Sequence, residues 1–320
     1  MKYTYLFLLL MIFSLGLQAQ QAPTYAFYKN HFNLINPAVT GTHGGSYANL
    51  SLREQWVNVE GAPSTQALSM GFPHENNRVG LGFSLVNDQL NVEQQTFFAA
   101  DFSYRLPLEK EQNLYLGLKA GANAYRLNAS DAKIYNASGA ISDPFLEDYS
   151  RLLPNIGVGV YYTSTKGYLA FSIPRLLNTQ RQKEEDGQQT TATDRPHLFL
   201  SGGIQTPINE NIAFSPSFLL SYVKAAPIQL TLDAAFLFNE KFEAGIQYNT
   251  TTGIGGTALV TINEGFKLGY AYSSPVSNAI DRISNGTHEL VLKIRLNKSI
   301  LEETPPEETT SPNQNNNNNQ

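Results

Sequence analysis

The sequence predicts an all-β protein, a transmembrane antiparallel up-and-down β-barrel of about fourteen strands. Three observations predict it. Apolar and polar residues alternate with a period of two through most of the chain, as in strands with one greasy and one polar face. Short and long links alternate along the chain, as in a barrel with a turn side and a loop side. Charged residues are 15%, against roughly 25% in soluble domains, while Tyr 17 and Phe 18 suit a lipid-facing wall with aromatic belts.

Taken in order, Met1-Lys2, an apolar run from Tyr5 to Leu17, and Leu17-Gln18-Ala19 read as a signal peptide over residues 1–19, too short for a comfortable span. An uncleaved anchor is the alternative. Residues 20–45 are polar and irregular and read as a leader tucked against or into the barrel as a plug. The barrel occupies 46–296, with strands expected at 46–58, 65–72, 78–87, 92–106, 113–127, 153–163, 168–174, 197–206, 212–223, 227–237, 242–249, 253–262, 266–274 and 286–296. In 98–106, for example, Phe98, Ala100, Phe102, Tyr104 and Leu106 oppose Ala99, Asp101, Ser103 and Arg105. Residues 297–320, with Glu302, Glu303, Glu307 and Glu308 before a run of asparagines, have the composition of a disordered tail.

Six clipped turns, around residues 73–77, 108–112, 164–167, 209–211, 239–241 and 263–265, each join an even strand to the next odd one. The longest links, 128–152, 175–196 and 275–285, all fall at the other end. Short turns mark the periplasmic side of such barrels. The expectation is therefore an outer-membrane protein with long loops outside and both termini in the periplasm. Long links without structure of their own are commonly functional, so Asp143, Phe145, Tyr149, Arg181, Lys183 and Arg282 are the candidate partner contacts.

Several chemistries are disfavoured. No later stretch reaches the roughly 18 apolar residues that a spanning helix needs, and the mean hydropathy is -0.26. Cys 0 removes thiol ligands, disulfides and lipidated thiols. A net charge of -5 lacks the basic stripe of a nucleic-acid binder. The five histidines, His31, His43, His74, His197 and His288, show no metal-ligand spacing, and no catalytic signature stands out, so no enzyme activity, metal or cofactor is expected.

Ten charges fall on the inward parity: Arg53, Asp101, Arg105, Lys119, Asp233, Glu243, Lys267, Glu289, Lys293 and Arg295. They could line a pore, but pairing of opposite charges in a polar lumen is the simpler reading. Asp143, Glu147 and Asp148 offer carboxylates for calcium without the EF-hand spacing, so a solvated loop is favoured. Gly80, Gly82, Gly117, Gly121, Gly157 and Gly159 lie within strands, the wrong context for phosphate loops, and suit curvature or close packing in the wall.

Asn33-Leu34-Ile35-Asn36-Pro37-Ala38 with Gly41, Gln55-Trp56 with Gly61-Ala62-Pro63, and Val79-Gly80-Leu81-Gly82-Phe83 continuing to Asp88 are joined later by Ser103-Tyr104-Arg105-Leu106-Pro107-Leu108, Leu116-Gly117-Leu118-Lys119-Ala120-Gly121, Pro154-Asn155-Ile156-Gly157-Val158-Gly159 and Gly286-Thr287-His288-Glu289-Leu290. In this order, over nearly the whole mature chain, they resemble the PorP/SprF proteins of the type IX secretion system of Bacteroidota. The resemblance implies a non-enzymatic outer-membrane barrel beside the type IX translocon, contacting lipid, other secretion components and a secreted surface adhesin with a C-terminal sorting domain, with roles in gliding motility and adhesin anchoring. The acidic, asparagine-rich tail departs from the compact ending expected of the family. A passive porin-like channel is the alternative function.

Overall fold

The structure, a computed structural model, describes residues 25–42, 44–74, 78–109, 111–131, 134–136, 139–141, 148–177, 179–185, 188–274 and 283–296. The strands are β1 (Tyr47–Glu54), β2 (Ser64–Pro73), β3 (Val79–Leu90), β4 (Glu93–Pro107), β5 (Asn113–Leu127), β6 (Ile134–Asn136), β7 (Gly139–Ile141), β8 (Tyr149–Thr163), β9 (Gly167–Ile173) and β10 (Thr179–Glu185). They continue as β11 (Gln188–Asp194), β12 (His197–Ile204), β13 (Thr206–Asn209), β14 (Ile212–Val223), β15 (Gln229–Phe238), β16 (Phe242–Asn249), β17 (Gly253–Asn263), β18 (Phe266–Ser273) and β19 (Thr287–Arg295).

Every wall strand pairs antiparallel with its sequence neighbours, and β19 returns to β1 in the register Tyr47↔Arg295 through Glu54↔His288. β12 and β13 are one wall strand interrupted at Gln205, since both pair with β14. The wall is thus a closed fourteen-stranded antiparallel barrel, the predicted fold class. Closure leaves no sheet edge in the wall, which a membrane requires because lipid cannot satisfy free backbone groups.

Alternation decides which face is which. Along β4, Phe97, Ala99, Asp101 and Ser103 are buried while Phe98, Phe102 and Tyr104 are exposed. The same rule exposes Leu118 on β5, Ile246 on β16 and Ile254 on β17, the last two at 68% and 65%. An apolar belt this continuous is a lipid-facing surface. The opposite parity buries Asn49, Ser51 and Arg53 on β1 and Thr231 and Asp233 on β15, so polar residues share the interior with an apolar cluster that includes Phe97, Ala99 and Leu219.

Two long links carry structure that their sequence does not advertise. The link at 175–196 contains the hairpin β10–β11, paired from Thr179↔Asp194 to Glu185↔Gln188. The link at 128–152 holds β6–β7 and also yields its end to β8, which starts at Tyr149. The β10–β11 hairpin is almost wholly polar and lacks an apolar parity to read, and β6 and β7 are only three residues each, too short to show one. In the other direction, the first strand ends at Glu54, short of the expected 58, because Trp56 and Asn58 take positive φ values of 48° and 76°. That turn is tied across the barrel seam by Val57 N donating to Gly286 O and Asn285 N donating to Val57 O.

Candidate functional site

Residues 25–42 fold inside the barrel as a plug. Tyr25 sits in the loop-side half, beside Phe199, Leu219 and Gln229; the chain dips to the turn side at Lys29, returns beside Tyr25 at Ile35, and reaches the turn side again at Gly41, against Pro73 and Gly80. Between them lie a single helical turn α1 (Phe32–Ile35) and a 3-10 turn over Pro37–Val39. Tyr28, His31, Asn33, Asn36 and Val39 are each 1% exposed.

Asn36-Pro37 builds the bend locally. Pro37 has no N–H and suits the first position of a turn, and the Asn36 carboxamide accepts from Ala38 N at 2.9 Å. The same side chain donates to Val160 O of β8 at 3.0 Å, joining the bend to the wall.

Four strand glycines make room for this segment. A Cβ on Gly117 would collide with the Ala38 backbone, on Gly80 with Thr40 O, on Gly82 with the Thr40 side chain, and on Gly159 with Asn36 Oδ1. Gly121 and Gly157 instead face wall and loop atoms, the Phe98 and Pro174 carbonyls. The expectation of curvature or close packing in the wall therefore needs correcting at Gly80, Gly82, Gly117 and Gly159. Their missing side chains admit the plug, and the signal was their shared inward parity opposite an Asn-Pro turn.

The inward charges divide by depth. Asp101 and Lys119, register partners on β4 and β5, form a fully buried ion pair at 2.6 Å, and Lys119 Nζ also donates to Asn33 O at 3.1 Å and Ser84 Oγ at 3.3 Å. Arg53 and Glu289, partners across the β1–β19 seam, pair at 3.2 Å. Glu289 additionally accepts from Ala26 N at 2.8 Å and Phe27 N at 3.2 Å. Asp233 pairs with the plug's own Lys29 at 2.5 Å. Thus five of the ten charges hold the plug or a wall pair that touches it. Pairing is mainly between adjacent strands rather than across an open lumen.

The other five lie toward the turn side. Arg105 Nε donates to Asn113 at 2.7 Å, and Glu243 lines a crevice of about 320 Å³ beside Lys29, Tyr161 and Tyr168. Lys267, Lys293 and Arg295 sit at the turn-side ends of β18 and β19, with Lys293 Nζ 5.7 Å from the centre of the Tyr47 ring.

Neutral contacts complete the seat. Tyr28 Oη donates to Ser217 at 3.0 Å, Ser103 to Thr40 O at 2.6 Å, Ser172 to Ile35 O at 2.6 Å, and Gln247 to Ala26 O at 3.0 Å. Asn49 donates to Asn30 O, and His31 Nδ1 lies 3.0 Å from Ser69 Oγ. Above the plug, Arg175 lies over the Phe97 ring at 4.9 Å and caps a small apolar cavity of about 50 Å³.

At the loop-side rim, β3, β4, β5 and β8 run 12 to 15 residues, whereas β1, β9 and β16 run 7 or 8. Tyr149 starts β8 with its ring 6.2 Å from Tyr125. Arg181 and Lys183 lie on β10, opposite Ala192 and Thr190 in the hairpin register. Asp143, Phe145 and Arg282 lie outside the described residues, as does Glu147. Asp148 accepts from Ser130 Oγ at 2.8 Å and Ser130 N at 3.1 Å, and these bonds hold its carboxyl below the usual range. Among the described residues no three His, Asp or Glu side chains gather as metal ligands.

Solved structures similar to this chain include the Acinetobacter baumannii outer membrane protein Omp33, 10% identical with a TM-score of 0.46 over 79% of this chain and 100% of that one. A deletion mutant of the TodX monoaromatic hydrocarbon channel is 9% identical, with a TM-score of 0.48 over 81% and 92%. A Pseudomonas aeruginosa FadL homologue is 12% identical, with a TM-score of 0.45 over 81% and 91%. None of these likenesses bears on function. No curated protein matches the chain in sequence. The model of one family, described as type IX secretion system membrane protein PorP/SprF, matches residues 17–294, and the chain belongs to that family of outer-membrane proteins.

Proposed function

We propose that the protein is a docking component of the type IX secretion machinery, which grips a secreted surface adhesin through its C-terminal sorting domain and helps to export or anchor it. Family membership supports the secretion role. The observation that carries the docking role is the plug, because a lumen occupied by residues 25–42 leaves the rims as the contact surface. In this reading the raised loop-side wall, with Tyr149 and the β10 residues Arg181 and Lys183, faces outward and meets the client. Asp143, Phe145 and Arg282 belong to the same proposed surface, and the turns face the periplasm.

Isolation of the protein from native membranes tests this. A surface protein with a type IX sorting domain is expected to co-purify, and to be lost when 179–194 is replaced by a short turn. An intact barrel that repeatedly arrives without such a client sinks the reading. A passive channel is the rival; it requires stepwise conductance in planar bilayers from the unmodified protein, which the seated plug opposes.

A further inference from the structure

The lipid-facing belt stops abruptly on the raised wall. Outward residues of β3, β4, β5 and β8 stand in register rows, and the row Leu85, Phe98, Ala122 and Pro154 is wholly apolar. The next row toward the loops is Asn87, Thr96, Ala124 and Leu152, and the one above it Gln89, Gln94, Arg126 and Ser150. At about 3.4 Å per residue and a tilt of roughly 40°, Arg126 lies about 30 Å from Leu114 along the barrel axis, just past an apolar band of about 25 Å. The arginine therefore stands at headgroup depth.

Here the outer surface is hollowed. A crevice of about 380 Å³ opens between Gln94, Arg126 and Ser150 on one edge and Thr96, Ala124 and Leu152 on the other. Asn87 Oδ1 accepts from Gln94 Nε2 at 3.0 Å and from Thr96 Oγ1 at 3.1 Å, which fixes both side chains. What the upper edge still offers is mainly donors: the Arg126 guanidinium, the second amide N–H of Gln94 and the Ser150 hydroxyl. No acidic side chain lines the crevice, and Arg126 belongs to none of the ion pairs among the described residues.

We propose that this crevice binds a phosphate-bearing lipid of the leaflet at the loop side. Its headgroup oxygens accept from Arg126, Gln94 and Ser150, and its first acyl carbons lie against Ala124 and Leu152. Arginine suits the position because its planar fork binds two phosphate oxygens at once, and its stem can follow the apolar wall while the head stays in the interface. A free phosphate would satisfy only the upper edge. Such a site requires only that the belt lies in lipid, whichever way the loops face.

Trp56 is the only tryptophan of the chain, so Trp56→Phe/Phe98→Trp moves that probe to the row beneath the crevice. The full-length barrel is reconstituted in vesicles of phosphatidylcholine with a minor fraction of phosphatidylglycerol, and one lipid or the other carries brominated chains, which quench tryptophan on contact. The expected result is a preference for phosphatidylglycerol of about fivefold, the size of effect that one arginine has at an anionic surface. It falls to near one in Arg126→Gln and is unchanged in Arg195→Gln, which removes the same charge just before β12. Equal quenching by the two lipids overturns the proposal. So does a preference that Arg195→Gln lowers as much as Arg126→Gln, which would leave only a general attraction between charge and membrane. A preference abolished by inorganic phosphate, but not by NaCl of equal ionic strength, overturns it too and makes the crevice a free-anion site.

Discussion

The two halves of the lumen hold the plug in different ways. On the side of β3, β5 and β8 the plug backbone lies directly on the wall, at glycines whose missing side chains it replaces. On the side of β15 to β19 it is held by the side chains of Asp233, Gln247 and Glu289, around an apolar contact of Phe27 with Leu259, Ala271 and Val291. The first contact is steric and unforgiving. The second runs mainly through side chains, which can adjust, so the same segment is wedged on one flank and tethered on the other.

The wedge should give the largest effect on the plug. Gly159→Leu would drive a side chain into Asn36 Oδ1 and the Pro37 ring, overpacking that typically costs about 1–3 kcal/mol and more where the neighbours cannot yield. The expected result is a barrel that still closes but exposes residues 25–42 to protease, with conductance gained in planar bilayers. A protected plug in this variant would show that the glycine face is not a wedge.

Next comes the buried charge within the glycine flank. Lys119→Met strands Asp101 in the core and removes the donor to Asn33 O, for an expected loss of about 3–5 kcal/mol measured by denaturant unfolding in detergent. The double variant Lys119→Met/Asp101→Leu should recover a large part of it. Failure to recover would mean that the bond to the plug, rather than the ion pair, carries the loss.

The tether should yield least. The pair is half-buried, with Lys29 29% and Asp233 5% exposed, so Asp233→Asn is expected to cost about 1–3 kcal/mol, between an exposed and a fully buried pair. The effect should shrink further in high salt. A loss as large as that of Lys119→Met would erase the distinction between the two flanks.

The wall was legible because lipid and lumen impose opposite demands on alternate residues. β5, β14 and β16 run over 113–127, 212–223 and 242–249, where the alternation alone puts them. The hairpin β10–β11 was not legible, since Thr179-Gln180-Arg181-Gln182-Lys183 carries no apolar parity. The plug was half legible. Its irregular sequence suggested a leader for the barrel, but which wall residues receive it depends on strands far apart in the chain. Gly80 and Gly159 meet neighbouring plug residues only after the sheet has curled round. Likewise Glu289 reads in sequence as one more inward charge, and its hold on Ala26 and Phe27 follows from closure.

That last contact constrains assembly. Glu289 belongs to the final strand and grips residues 262 and 263 positions earlier, while its partner Arg53 stands on the first strand. Joining β19 to β1 therefore seals the seam and clamps the start of the plug in one step. Contacts so distant in sequence form slowly. A chain truncated before β19 is expected to lose closure of the seam and this hold on the start of the plug together.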